Sequence, residues 1–428
     1  MKKTVEKILK VFAKLIINKY RPLIIGITGS VGKTSAKEAV FAVLSGKRKV
    51  RSNIKNYNNE IGLPLTIIDA QAQGKSVFGW LGVFWKATSL LITTDNNYPE
   101  VLILEMGIDR PGDMDYLNGI VQSKIGIATL IGPVHLEYFG TIERIQKEKG
   151  KLIEQLPKDG YAVLNFDNEK TRKLKDISKA KVITYGFDEK ADVQAKELNF
   201  SLGKAGEVQG INFKLSYKGS SVPVFLLNSL GTSAVSACLA GAAVGIIQGM
   251  NLIEIAQSLK NFRNPKGRLN LLKGIKRSLI IDDTYNSSPQ SAITALGVLK
   301  EIPVEDEAKR IAVLGDMLEL GSYSEEGHQE VGKYLAKLKI DKLITVGERS
   351  RSINHGAENN GMKDDDIFHF SDQESAGKFL QEIIKEGDLV LIKGSQGMRM
   401  EKIAKEVMAE PLKAEELLVR QEEEWLKK

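Results

Sequence analysis

L-I-I-G-I-T-G-S-V-G-K-T-S-A-K-E, running from Leu23 to Glu38, carries an apolar β-branched run into a glycine turn and then into good helix formers. The pattern predicts strand, loop, helix, with the loop made of Gly29, Ser30, Val31 and Gly32. Small residues let backbone N–H groups turn inward around a phosphate, and a helix start adds its own N–H groups and a positive dipole end. Lys33 would supply a point charge for the outer phosphates. Thr34, with Ser35 behind it, would supply a hydroxyl for a bound magnesium. Position 27 is Ile, so the loop is a short G-x-x-G-K-T-S rather than the longer G-x-x-x-x-G-K-[ST] spelling.

At 428 residues the chain should hold two or three domains, each able to bury a core. A hydrophobic content of 42% and a charged content of 27% are ordinary for a globular protein. The net charge of +7 suits an anionic substrate. Lys and Glu are interspersed, and no basic stripe is interleaved with aromatics, so nucleic acid is not expected as a partner. Cys238 is the only cysteine, which excludes a disulfide framework and a cysteine metal site and fits a reducing cytoplasm. The first residues lack the apolar core and cleavage site of a secretory signal, so the expected location is cytoplasmic. The apolar stretch Ser76 to Ile92 is interrupted by Lys86 and is short for a bilayer. It is expected to be a helix buried against a sheet.

In chain order, residues 2–20 form an amphipathic pattern. Val5, Ile8, Leu9, Phe12, Leu15, Ile16 and Tyr20 recur at helical spacing, against Lys3, Lys7, Lys10 and Lys14. The favoured expectation is packing on the following domain; peripheral contact with an anionic membrane surface is the alternative. N-I-K-N-Y-N-N-E-I-G-L-P, Asn53 to Pro64, is a polar loop rich in donors and acceptors. V-L-I-L-E-M-G, Val101 to Gly107, sets Glu105 at a strand's carboxyl end, where open parallel sheets bind ligands. G-P-V-H-L-E-Y-F-G puts His135 and Glu137 just past another strand candidate. Lys147, Lys149 and Lys151 lie on a helix and, taken alone, read as a solvated face. Asp192 to Val224 alternates like an antiparallel excursion, and Gly231 to Gly249 like a closely packed helix. The polar N-F-R-N-P-K-G-R, Asn261 to Arg268, marks a domain boundary. Beyond it, strands at Leu279–Asp282, Arg310–Leu314, Lys342–Val346 and Leu389–Ile392 alternate with helices, and Glu415 to Lys428 suggests a charged helix. The expected fold is α/β: an N-terminal helix (1–20), a P-loop-containing central domain with a mostly parallel sheet (21–264) and a smaller Rossmann-like C-terminal α/β domain (265–428).

Eight motifs in order make the chain resemble the Mur ligases from about Ile24 to Glu401. They are G-I-T-G-S-V-G-K-T-S, N-Y-N-N-E-I-G-L-P, L-E-M-G, H-L-E-Y-F-G, K-G-R, D-D-T-Y-N-S-S-P, V-L-G-D-M-L-E-L-G with His328 downstream, and K-G-S-Q-G-M-R-M-E. Within the family it is most similar to the type that joins D-alanyl-D-alanine to a UDP-N-acetylmuramoyl-tripeptide in peptidoglycan synthesis. The resemblance implies an ATP-dependent carboxylate–amine ligase that works through an acyl phosphate, with ATP and two Mg2+ ions. Residues Gly29 to Ser35 would bind the nucleotide, and Lys33, Glu105, His135 and Lys149 would be catalytic. Thr34 and Glu105 would hold one metal, and His135 would help hold the second. Lys149 aligns with the lysine that the family carbamoylates, which would turn a cation into a carboxylate-like ligand. Arg268, Asp283 and Asn286 would meet the nucleotide, and Asn56, Asn58, Asn59 and Ser395 the substrate. A monomer is expected.

Departures from the family pattern bear on the substrate. The UDP-binding first domain is expected to be absent; Gly231-Thr232-Ser233 replaces G-x-H-N; Gln396 stands where an arginine is usual; and Lys151 stands for a glutamate. The alternatives are a related ligase with another acceptor, such as a folylpolyglutamate synthase, or a non-catalytic nucleotide-binding subunit. Retention of Glu105, His135 and Lys149 together argues against the last.

Overall fold

The computed structural model of the chain describes residues 2–54, 57–74, 76–133, 136–203 and 208–426. It forms two compact units. The first comprises Met1–Leu198, Asn212–Leu226 and Thr232–Arg263; the second comprises Asn199–Ile211, Leu227–Gly231 and Asn264–Lys428. The polar stretch at Asn261 to Arg268 contains the last of these changeovers.

Apolar runs too short and too β-branched for helices become buried parallel strands. They are β1 (Leu23–Thr28), β3 (Val101–Glu105), β4 (Ile125–Ala128) and β5 (Tyr161–Asn165), joined in the parallel set by the half-buried β2 (Val50–Ser52) and by β6 (Lys181–Gly186), whose first two residues are exposed. β7 (Val193–Leu202), β8 (Val208–Tyr217) and β9 (Ser220–Leu227) extend the sheet, whose order is β2-β3-β1-β4-β5-β6-β7-β8-β9. Lys218 and Gly219, both at positive φ, make the tight turn from β8 to β9. Central β1 lies parallel to β3, with Ile27 opposite Glu105, and to β4, with Thr28 opposite Ala128. That register brings the ends of three strands, distant in sequence, to one edge of the sheet.

The Lys2–Tyr20 helix packs on this unit as expected. Leu9, Ala13 and Ile16 are fully buried, in a core shared with Leu63, Leu65 and Leu104. The Val77–Ile92 helix corrects an expectation. Only Trp80, Val83, Ala87 and Leu90 are buried, while Phe78 and Trp85 remain 86% and 78% exposed. It leans on two other helices, Lys2–Tyr20 and Gly62–Ile68, rather than lying fully covered. A helix apolar on every side does not show in its sequence which face finds a partner. Among the described residues, no helix is long and apolar enough to cross a membrane.

The second unit holds β10 (Asn270–Lys273), β11 (Leu279–Asp283), β12 (Arg310–Gly315), β13 (Lys342–Val346), β14 (Ile367–Phe370) and β15 (Leu389–Lys393), in the order β10-β11-β15-β12-β13-β14. All pairings are parallel except β10 with β11. The edge strands β10 and β14 escaped the sequence pattern because short, half-buried edges lack the continuous apolar run. The charged helix expected at the end is instead two short helices, Ala414–Leu417 and Glu423–Leu426. Between them Arg420 is buried against Glu401, which a single solvated helix would not allow.

Candidate active site

The phosphate loop follows β1 directly. Gly32, at φ 88°, caps the Lys33–Ser45 helix in a left-handed conformation that L side chains rarely adopt. At Gly29, Thr129 Oγ1 occupies the space where a Cβ would stand. The loop is pinned to the segment after β4. Ser30 N–H donates to the Leu130 carbonyl (2.6 Å), Ser30 Oγ donates to the Gly132 carbonyl (3.0 Å), and Thr129 Oγ1 donates to the Val31 carbonyl (2.7 Å).

Thr34 Oγ1, on the first turn of the helix, donates to Glu105 Oε2 at 3.0 Å. Asn58 Nδ2 holds the other carboxylate oxygen at 3.1 Å. Asn53, which the sequence did not single out, clasps the Glu105 backbone from both sides, accepting from its N–H (2.6 Å) and donating to its carbonyl (3.1 Å). The asparagine loop is therefore a fixture that aims one carboxylate. Asn59 Oδ1 accepts from Ile61 and Gly62 N–H at the start of the Gly62–Ile68 helix. Asn56 and His135 lie outside the described residues, as does the side chain of Glu137.

Lys33 Nζ donates to the Gly29 carbonyl at 2.9 Å, and Lys149 Nζ donates to the same oxygen at 3.0 Å. Lys149 is 2% exposed, which overturns the solvated-face reading for this lysine; Lys147 on the same helix is exposed. Burial, and next the positive charge of Lys33, pull the Lys149 ammonium down to a pKa of about 7. The carboxylates Asp109, Glu105 and Glu148 partly oppose that fall. Glu148 is itself spent on structure, accepting from Gly112 and Met114 N–H at 3.0 Å each. Lys151 pairs with Glu148 (2.7 Å) and Asp115 (2.6 Å), so its charge is met locally.

In the second unit, the carboxyl ends of β11 and β15 meet in register, with Asp283 opposite Lys393. Lys393 Nζ donates to Asp283 Oδ2 (2.7 Å) and to the Asn286 carbonyl (2.9 Å). Ser395 Oγ donates to the Ser287 carbonyl (3.3 Å) and accepts from Leu318 N–H (2.8 Å). The Arg268 guanidinium sits 4.2 Å from the Tyr285 ring centroid. Asp283 and the Asn286 carbonyl are thus gathered around Lys393, which the sequence showed only as the first letter of K-G-S-Q, while Ser395, two residues on, ties that segment to Ser287 and Leu318. Burial lowers the Lys393 pKa against the pull of Asp283, and it raises that of Asp282 to about 6.

A glycine loop at the carboxyl edge of a parallel sheet, with a hydroxyl–carboxylate pair and two lysines around it, defines a phosphate-loop nucleotide enzyme. Residues 27–78 and 85–245 match the Mur ligase middle domain, and residues 267–396 match the Mur ligase, glutamate ligase domain. The chain belongs to the Mur ligase family. It is 30% identical over 404 residues to the UDP-N-acetylmuramoyl-tripeptide–D-alanyl-D-alanine ligase of Bacillus subtilis, covering 94% of this chain and 80% of that one. Its structure is similar to that of the MurF ligase from Thermotoga maritima in complex with ADP, with a TM-score of 0.76, 28% identity, and coverage of 94% of this chain and 83% of that one. A folylpolyglutamate synthase of Mycobacterium tuberculosis shares the fold alone, at 16% identity and a TM-score of 0.63, covering 93% of this chain and 95% of that one.

Proposed function

We propose that the chain is an ATP- and magnesium-dependent ligase that adds D-alanyl-D-alanine to a UDP-N-acetylmuramoyl-tripeptide, working in the cytoplasm. The observation that carries the reading is the convergence of Lys33 and Lys149 on the Gly29 carbonyl, beside the Thr34–Glu105 pair. Relatives with those substrates in their names support the choice of substrate.

The residues fit the groups they would hold. Magnesium takes hard oxygen ligands, commonly one or two carboxylates plus substrate phosphates. The hydroxyl of Thr34 and the carboxylate of Glu105 are such a set, held at hydrogen-bond distance from each other. Magnesium, when bound, would neutralise charge on the β- and γ-phosphates. Lys33 would place its ammonium where negative charge gathers as the substrate carboxylate takes the γ-phosphoryl group as an acyl phosphate. Asn58 and Asn53 would keep Glu105 aimed while that happens. A half-neutral amine at pH 7 is what carbamoylation of Lys149 needs. The neutral amine nitrogen would bond to the carbon of CO2 as one C=O π bond opens onto oxygen and the nitrogen gives up a proton, so that a neutral side chain becomes an anionic carbamate whose oxygens can ligate a metal. His135 would assist at the second metal. In the second unit, Arg268, Asp283 and Asn286 would serve the nucleotide and Ser395 the incoming amine substrate.

The test is phosphate release and product mass with ATP, Mg2+, the UDP-linked tripeptide and D-alanyl-D-alanine. Release is expected only when both substrates are present. Release indifferent to both, or product formed from a folate and glutamate instead, would overturn the reading.

A further inference from the structure

The Val77–Ile92 helix leaves an apolar stripe in solvent. Phe78, Leu81, Trp85 and Ile92, at i, i+3, i+7 and i+14, share one face and are 86%, 56%, 78% and 78% exposed. The neighbouring Lys2–Tyr20 helix adds Ile8, Val11 and Leu15, also exposed. Both helices are fixed in place. Phe12 stacks on Phe84 with ring centroids 6.1 Å apart, and Lys19 Nζ holds the Leu90 and Leu91 carbonyls at 2.9 and 3.0 Å. The stripe is therefore presented by a rigid helix pair and is not a frayed end.

Lysines flank it. Lys3, Lys7 and Lys14 are exposed on the Lys2–Tyr20 helix and have no ion-pair partner among the described residues. Lys10 is crowded enough by burial and by Lys14 to have its pKa lowered. The Val77–Ile92 helix carries no acidic residue, and Glu6 is the only one on its neighbour. Protein interfaces favour aromatics but are depleted in lysine. Aromatic and aliphatic side chains rimmed by lysines are the composition of a surface that lies on anionic lipid.

The geometry points to this two-helix face as a peripheral docking surface for an anionic lipid bilayer. The aromatic stripe enters the headgroup boundary, and Lys7 and Lys14 meet the lipid phosphates. Neither helix spans the membrane; both lie on it.

The test uses the full chain with vesicles of phosphatidylglycerol and phosphatidylcholine, and with phosphatidylcholine alone, at low and high salt. The expected result is co-sedimentation with the anionic vesicles only, weakened by salt, with a blue shift of tryptophan emission that Trp85→Phe removes. Lys7→Gln and Lys14→Gln should each weaken binding about fivefold, the equivalent of about 1 kcal/mol per basic residue. Phe78→Ser with Trp85→Ser should abolish binding while phosphate release from water-soluble substrates stays unchanged. No sedimentation at low salt overturns the proposal, as does sedimentation indifferent to both variant pairs. So does a concentration-dependent dimer, broken by Phe78→Ser and Trp85→Ser, in a protein that ignores vesicles; that would give the face to a second copy of the chain.

Discussion

Lys149 holds its proton about 3.5 pH units less tightly than an ordinary lysine, at about 7 rather than 10.5. At about 1.4 kcal/mol per unit, that difference is worth about 5 kcal/mol. The folded-state value lies below the unfolded one, so between pH 7 and 10.5 the unfolded chain binds the extra proton and stability rises with pH. The cost of burying the ammonium is complete below pH 7 and gone above 10.5. Between pH 7 and 9 the recovery amounts to about 2 kcal/mol. Lys149→Met keeps an unbranched side chain only one heavy atom shorter and removes the charge, so its stability advantage over the natural protein should shrink by that amount across those two units. The assay pairs urea unfolding of the first unit at pH 7, 8 and 9 with an NMR titration of lysine labelled at Cε, in metal-free, CO2-free buffer. One lysine resonance should titrate near pH 7 and be missing in Lys149→Met. Labelled bicarbonate should then give a carbamate signal that the variant lacks. If the resonance lost in the variant titrates above pH 9, or the pH slopes of the two proteins coincide, the burial argument is wrong.

Lys33→Ala removes a cation from the loop where charge develops and should lower turnover by about 10² or more, read as phosphate release; near-normal turnover would sink the assignment. Lys149→Ala should be nearly inactive and partly restored by formate or acetate entering the vacated position, whereas full activity without them would make it a structural lysine. Lys393→Met strands the Asp283 carboxylate in a buried site and should destabilise the second unit by about 3–5 kcal/mol, part of which Asp283→Asn recovers. Additive losses in that double variant would show that the two residues are uncoupled. His328 Nε2 accepts from Met317 N–H at 3.0 Å, which requires a neutral ring, and burial lowers its pKa. That stabilisation is full above the unfolded histidine value and is lost as pH falls through the folded one; thermal melts on the acid side should be flatter for His328→Gln.

The phosphate loop was legible in the chain because everything it needs is local. An apolar run, two glycines and a Lys-Thr pair lie within a dozen positions and do the same job wherever the strand sits. Glu105 was legible for a related reason: a strand-terminal carboxylate falls at the ligand edge of any parallel sheet. Its partners were not, because the hold of Asn53 and Asn58 depends on a loop folding back across β3. Lys149 shows the limit most sharply. Ile145, Glu148, Lys149, Leu152 and Ile153 repeat at the spacing of a buried helix face, so a signal was present, but three lysines at alternate positions look like solvent. Local pattern determines which elements form. Which face of each is covered depends on strands paired far apart in sequence, and only that packing turned one lysine into a buried amine and left Trp85 bare.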